Sequence, residues 1–173
     1  MKRAIPLALC FLFLCGCGGD ALPAETVSDT VVPAWSWTQE AYCITFGVPS
    51  DAQELPTGPA ENCRRFVGED GAYEIETRVL LASDERSAIR QLSGFDADDL
   101  DVVRLTRFSM PEYRFAWYRP VGDGGMVCRC DLFRDGEKCY AVTVSVREEA
   151  GREAHRLATE VFSTVGLFYD EGV

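Results

Sequence analysis

Two neighbouring segments, residues 126–133 and 139–146, restrict the fold more than any other part of this chain. Apolar and polar side chains alternate along both segments, which is the period of a β-strand with one buried face. A short polar connection that contains Gly136 separates them, and such a connection favours a tight turn. The two segments therefore predict an antiparallel hairpin, the clearest one in the sequence.

The length of the loop decides which side chains of this hairpin share a face. A three-residue loop, Arg134-Asp135-Gly136, with its glycine in the left-handed conformation, places two apolar sets on one side of the sheet. These sets are Met126, Cys128, Cys130 and Leu132 on the first strand and Tyr140, Val142, Val144 and Val146 on the second. A two-residue Asp135-Gly136 turn would instead bring Arg129 and Asp131 beside the valines. We predict the three-residue loop, because a shift of one residue would remove the apolar side chains from the core face.

Other parts of the chain predict further strands and two helices. Alternating segments place the strands at residues 42–48, 63–67, 73–81, 102–110 and 112–120. A short helix should begin after Ser83 and end at Gly94. A longer helix is indicated by an apolar stripe at helical spacing, formed by Ala154, Leu157, Ala158, Val161, Phe162 and Val165. The sequence thus predicts an α+β fold in which an antiparallel sheet of about six or seven strands packs with a short helix and an amphipathic C-terminal helix.

The N-terminus has the pattern of an export signal. Lys2 and Arg3 precede an apolar run at residues 4–14 that is too short to be a permanent membrane span. The run closes with Leu14-Cys15-Gly16-Cys17, which resembles the lipobox of bacterial lipoproteins. The resemblance implies cleavage between Gly16 and Cys17, and acylation of Cys17 with fatty acids such as palmitate. About two or more acyl chains hold a protein stably in a membrane.

This leader divides the chain into three predicted regions. Residues 1–16 are the signal peptide, residues 17–34 are the lipidated cysteine and a flexible linker, and residues 35–173 are a single α+β domain. The linker prediction follows from its Gly, Pro, Ser, Thr and acidic residues, which show no periodicity. We expect an exported, membrane-anchored protein, in the outer membrane or facing the periplasm if the host has two membranes.

Charge restricts the partners that such a protein can have. The formal net charge is −11, which argues against binding to nucleic acid and against adhesion to anionic lipid. Membrane attachment should therefore come from the acyl chains alone.

Cysteines are the side chains in the domain that most invite a chemical interpretation. The five that follow Cys17 are Cys43, Cys63, Cys128, Cys130 and Cys139. Because exported proteins form disulfides, bridges are the first expectation, with Cys43–Cys63 as the preferred pair and one thiol left over. Cys128 and Cys130 share a strand face and could alternatively bind a soft metal or exchange a disulfide. The chain has one histidine and no Cys-x-x-Cys at a helix start, so a structural role is the preferred interpretation.

The order of elements is similar to the PsbP/Mog-type fold. The likeness covers an aromatic opening at residues 35–37, a strand closed by Pro49, a hairpin, a short helix, long strands and a terminal helix that ends in Phe162-Ser163-Thr164-Val165. It implies binding to a protein partner at the envelope rather than catalysis, and it transfers no binding residues. We therefore predict a lipid-anchored binding or assembly module that is not an enzyme and has no cofactor or metal.

Overall fold

The computed structural model describes residues 27–32, 42–57, 62–150 and 152–169. The predicted signal peptide, Cys17 and the aromatic opening lie outside these residues. Within these residues the chain forms two α-helices, α1 at Glu85–Ser93 and α2 at Arg152–Thr164, and a short 3-10 helix at Ala97–Asp99. The strands are β1 Val27–Val32, β2 Tyr42–Val48, β3 Gln53–Leu55, β4 Cys63–Val67, β5 Tyr73–Leu81, β6 Val103–Arg107, β7 Met110–Val121, β8 Gly124–Asp135, β9 Lys138–Arg147 and β10 Gly166–Tyr169.

Seven strands form one antiparallel sheet in the order β3-β4-β5-β9-β8-β7-β6. This confirms the predicted α+β class and the predicted number of strands. A second, three-stranded sheet in the order β1-β2-β10 was not predicted. Its strand β1 lies inside residues 17–34, so the flexible-linker prediction does not hold for Val27–Val32, which pairs with β2. Pairing on both sides of β2 satisfies backbone groups that an open sheet edge would leave without partners.

The predicted register of the β8–β9 hairpin is wrong. Asp135 pairs with Lys138 across a two-residue loop, and Gly136 has φ 61°. As a result, Asp131 lies opposite Val142, and Cys130 lies opposite Thr143. The prediction assumed that only one face of the hairpin is buried, whereas β9 is buried continuously from Cys139 to Val146. A one-residue shift therefore leaves neither face empty.

The large sheet carries one apolar core on each face. On one face, α2 and β2 pack over β9, and their buried side chains join Phe133, Tyr140 and Val142. On the other face, α1 contributes Ala88 and Ile89 to a second core. Because both faces of the sheet are covered by apolar packing, the central strands bury the side chains on both of their faces.

Both helices have the boundaries that their sequences favour, with one correction. Asp84, and not the predicted Ser83, is the N-cap of α1, and its carboxylate accepts a 2.7 Å bond from the amide of Ser87. Gly94 ends the helix with φ 82°, as predicted. In α2, the stripe is buried at Leu157, Ala158 and Val161. Neither helix of the described residues is long and apolar enough to cross a bilayer.

Candidate functional site

A groove of about 610 Å³ opens between α2 and the β6–β8 end of the large sheet. We call it the α2 groove. Its floor and one wall come from the sheet through Arg107, Arg114, Arg129 and Asp131, and its other wall comes from α2. The α2 wall is formed by Thr159, Phe162 and Ser163, which are three and four residues apart and so lie on one side of the helix.

The hairpin register places the charged side chains in this groove. Arg114 on β7 lies opposite Asp131 on β8, and Ala116 lies opposite Arg129. Directly opposed residues in an antiparallel pair share a face, so both rows project towards α2. Had the hairpin adopted the predicted register, Arg129 and Asp131 would have faced away from the valines of β9. The register is therefore what creates the site.

Two carboxylates, Glu112 and Asp131, are buried beside the groove, and we call them the acid pair. Their side chains are only 1% and 3% exposed. Arg114 donates to Oε1 of Glu112 at 2.8 Å from Nε, and its Nη2 lies 2.8 Å from the same oxygen. The Nε of Arg114 also lies 3.3 Å from Oδ1 of Asp131. Because burying charge without a partner is costly, this guanidinium is needed to hold the acid pair in the fold.

Burial raises the pKa of the Asp131 carboxyl to about 7, against the opposing effect of Arg114. The neighbouring Glu112 raises the pKa of Asp131 further, through its negative charge and through a hydrogen bond between the two side chains, while Arg107 lowers it. A neutral Asp131 carboxyl avoids placing a second negative charge beside Glu112, which is why this neighbour acts in the same direction as burial. Oδ2 of Asp131 has no hydrogen-bond donor within the described residues.

Arg107 connects the acid pair to the end of α2. Its Nη1 donates to the carbonyl of Phe162 at 3.2 Å, and its Nη2 donates to the carbonyl of Val165 at 2.6 Å. Carbonyls at a helix C-terminus lack intrahelical partners, so these bonds act as a cap supplied by the sheet. The same guanidinium lies 3.9 Å from oxygens of both Glu112 and Asp131. The wall of the groove is thus fixed by a residue that also faces the acid pair.

The raised pKa of Asp131 predicts a pH-dependent stability that Asp131→Asn removes. Between its ordinary value near 3.8 and about 7, the folded state keeps a proton that the unfolded state has released. Raising the pH through this window therefore destabilises the folded protein by up to about 1.4 kcal/mol per pH unit. The Asp131→Asn variant has no titrating group at this position, so its stability does not fall for this reason. In urea titrations, the variant should gain about 2–3 kcal/mol relative to wild type between about pH 5 and pH 8.

Asp123→Asn is the matched control, because Asp123 lies exposed in the β7–β8 turn. It should show the wild-type pH profile. If Asp131→Asn also followed the wild-type profile, Asp131 would have an ordinary pKa in the folded protein.

All five cysteines of the domain are buried and none forms a disulfide in the structure, so the predicted Cys43–Cys63 bridge is not formed there. Cys128 and Cys130 share a face, as predicted, but that face is the one covered in part by α1. Ser145 donates to the sulfur of Cys128 at 3.1 Å. The described part of the chain contains no group of three or more Cys, His, Asp or Glu side chains that could hold a metal ion.

Burial raises the thiol pKa of Cys128, Cys130 and Cys139, the last to about 11. Metal binding and disulfide exchange both require the thiolate, which these surroundings disfavour. Cys130 and Cys139 pack in the second core as small apolar side chains do.

Sequence reasoning missed the acid pair and Arg107. A charged residue in an alternating strand is normally predicted to face solvent. Glu112 also precedes Asp131 by 19 residues, so no local pattern indicates that the two side chains are neighbours. One signal of the site was present in the sequence. Arg129 and Asp131 are charged residues on the face of the hairpin that the alternative two-residue turn would have buried.

Comparisons with known proteins support the fold and no specific activity. No family model matches this chain, and no curated protein matches it significantly. Among solved structures, the cyanobacterial PsbP of Synechocystis is 10% identical, with a TM-score of 0.52 over 72% of this chain and 86% of its own. LpqN of Mycobacterium tuberculosis is 9% identical, with a TM-score of 0.46 over 84% of this chain and 98% of its own.

A protein of Bacteroides thetaiotaomicron is 15% identical, with a TM-score of 0.48 over 72% of this chain. This chain spans only 45% of that protein's length. The likeness to PsbP confirms the predicted type of fold. At this identity it says nothing about function.

Proposed function

We propose that this chain is a lipid-anchored module of a bacterial envelope that binds a ligand in the α2 groove. The observation that carries the proposal is the convergence of Arg107, Arg114, Arg129 and the acid pair beside one open groove. A fold that needed only stability would be served as well by apolar side chains, because buried ion pairs rarely repay their desolvation. A carboxyl with a strongly shifted pKa in a cleft is instead typical of a functional site.

The location is supported by the leader sequence. Leu14-Cys15-Gly16-Cys17 resembles a lipobox, and the acidic composition gives the domain no means of its own to adhere to anionic lipid. LpqN is described as involved in cell envelope biogenesis, which is a statement about that protein. The envelope assignment of this chain rests on its own N-terminus.

A photo-crosslinking amino acid at Thr159 tests whether the groove is occupied. Thr159 is exposed on α2 and lines the groove, whereas Arg152 is exposed at the start of the same helix and does not line it. In cells that carry the full chain, position 159 should give a discrete crosslinked species, and position 152 should give at most a trace of it. Mass spectrometry of the adduct then identifies the ligand.

Two variants make this result specific. Ser163→Trp adds bulk to the groove wall and should reduce the crosslink from position 159 by about tenfold, a change of about 1.4 kcal/mol in binding. Arg152→Trp adds the same bulk outside the groove and should leave the crosslink unchanged. Equal labelling from positions 159 and 152 would contradict a ligand in the α2 groove.

A further inference from the structure

One of the three arginines in the α2 groove, Arg129, does not face the acid pair. Arg107 and Arg114 face the two members of the acid pair. Arg129 lines the groove, half-buried, and within the described residues it has no hydrogen-bond or ion-pair partner. Asp101, the other acid in the lining, lies exposed at the rim, where water screens its charge. The floor therefore has one positive charge to offer to a ligand.

The space beside Arg129 is open on the side of β7. Its opposite residue is Ala116, whose methyl group fills little of the groove. Arg114, one row along, has a side chain that is 45% exposed although it holds the acid pair. Two guanidiniums in adjacent rows can thus reach the same small anion. Arginine forks suit planar, singly charged groups such as carboxylates.

An acceptor lies next to these donors. Oδ2 of Asp131 has no hydrogen-bond donor within the described residues, although the side chain is only 3% exposed. Asp131 and Arg129 are two residues apart on β8, so they lie on the same face roughly 7 Å apart along the strand. A ligand that fills the groove completely should carry a hydrogen-bond donor close to its anionic group.

We infer that the α2 groove binds the free C-terminal end of a peptide chain. The terminal carboxylate lies between Arg129 and the exposed side of Arg114, and the amide N–H of the last residue donates to Asp131. A peptide terminus fits because its carboxylate and N–H are separated by one carbon atom and because it carries a single negative charge. The inference rests on the proposed function and names its ligand.

Features around the groove agree with a peptide ligand. Phe162 and Ala116 give the terminal side chain an apolar surface. Beyond them, β6 is the edge of the large sheet, and its Val103 and Leu105 are 49% and 38% exposed on the face of the groove. An extended peptide that leaves the groove could pair with such an edge, a known mode of peptide recognition.

Fluorescence anisotropy with defined peptides tests the inference. The probes are fluorescein-labelled Gly-Gly-Gly-X peptides in which X is Ala, Val, Leu or Phe, each made as the free acid and as the C-terminal amide. The protein is the full chain purified from membranes in detergent. At least one free acid should bind, and its amide should bind at least about tenfold more weakly.

Arg129→Gln should weaken binding of the free acid by the same factor of about ten. Its melting temperature should stay at the wild-type value, because Arg129 has no partner to lose. Arg104→Gln is the matched control, because Arg104 is exposed on the opposite face of the sheet, beside Tyr113. This control should bind the peptides as the wild type does.

Three results would overturn the inference. They are equal binding of acid and amide, full binding by Arg129→Gln, and displacement of the peptide by inorganic phosphate but not by acetate. Failure of every peptide while the crosslink from Thr159 persists would reject the C-terminal peptide but leave the groove as a binding site. Loss of that crosslink would reject the proposed function itself.

Discussion

Replacing Arg107 by alanine should lower the free energy of unfolding by about 3–5 kcal/mol, the range found when one partner of a buried ion pair is removed. The side chain is 24% exposed and serves several groups at once. Its loss removes the 2.6 Å bond to the carbonyl of Val165 and leaves the carbonyl of Phe162 with only a 3.4 Å bond from the amide of Val165. It also takes one of two guanidiniums away from the acid pair.

Two further variants separate these effects. Arg107→Lys keeps the charge but cannot donate to two carbonyls in the geometry of a guanidinium. It should therefore lower the free energy of unfolding by about half as much as Arg107→Ala. Combining Arg107→Ala with Asp131→Asn should cost less than the sum of the single changes, because the neutral amide no longer needs a cation. Urea titration followed by tryptophan fluorescence measures all three, with the exposed Arg104→Ala as a control that costs at most about 1 kcal/mol.

Simple additivity of Arg107→Ala and Asp131→Asn would show that Arg107 acts only as a helix cap. A cost below about 1 kcal/mol for Arg107→Ala alone would contradict the role of Arg107 at the end of α2 as well.

Replacing Cys17 by alanine should move nearly all of the protein from the membrane fraction to the soluble exported fraction. The reason is chemical, because alanine has no thiol to be acylated, and the predicted anchor is made of acyl chains. Fractionation with immunoblotting measures the shift, and incorporation of labelled palmitate should disappear in parallel. An ordinary signal peptide cut nearby would instead leave the protein soluble in both forms.

Cys15→Ala is the matched control, because it removes a neighbouring thiol whose preceding residue, Leu14, is too bulky for the cleavage site. It should keep both the label and the membrane location. Retention of Cys17→Ala in the membrane fraction would contradict the anchor assignment, and a second means of attachment would then have to lie elsewhere in the chain.

The sequence predicts the parts of this fold whose pattern has a single interpretation. The stripe of α2 has a single interpretation, because only a helix aligns Leu157, Ala158 and Val161 on one side. The β8–β9 hairpin has two possible interpretations. Strand β9 carries valines on one face and small residues, such as Ala141 and Thr143, on the other, and both faces are buried. Periodicity identifies the strand there but cannot choose its register.

The candidate site could not have been predicted for a related reason. Its residues come from β6, β7, β8 and α2, and the correct register is what turns Asp131 towards Glu112 and Arg107. Local patterns contain no information about such distant neighbours. The cysteines drew attention in the sequence because their chemistry is distinctive, but burial gives Cys128 and Cys130 surroundings that suppress it.

The pairing of β1 with β2 limits the distance between the folded domain and the membrane to which Cys17 is predicted to be anchored. β1 starts at Val27, ten positions after Cys17 in the sequence. A chain spans at most about 3.6 Å per residue, so an anchored Cys17 would keep the first residue of β1 within about 36 Å of the bilayer surface. β1 belongs to the small sheet, whereas the α2 groove opens at the β6–β8 end of the large one. The anchor would therefore limit the distance between the α2 groove and its membrane to that length plus the width of the domain, and a ligand would have to come within that distance of the bilayer.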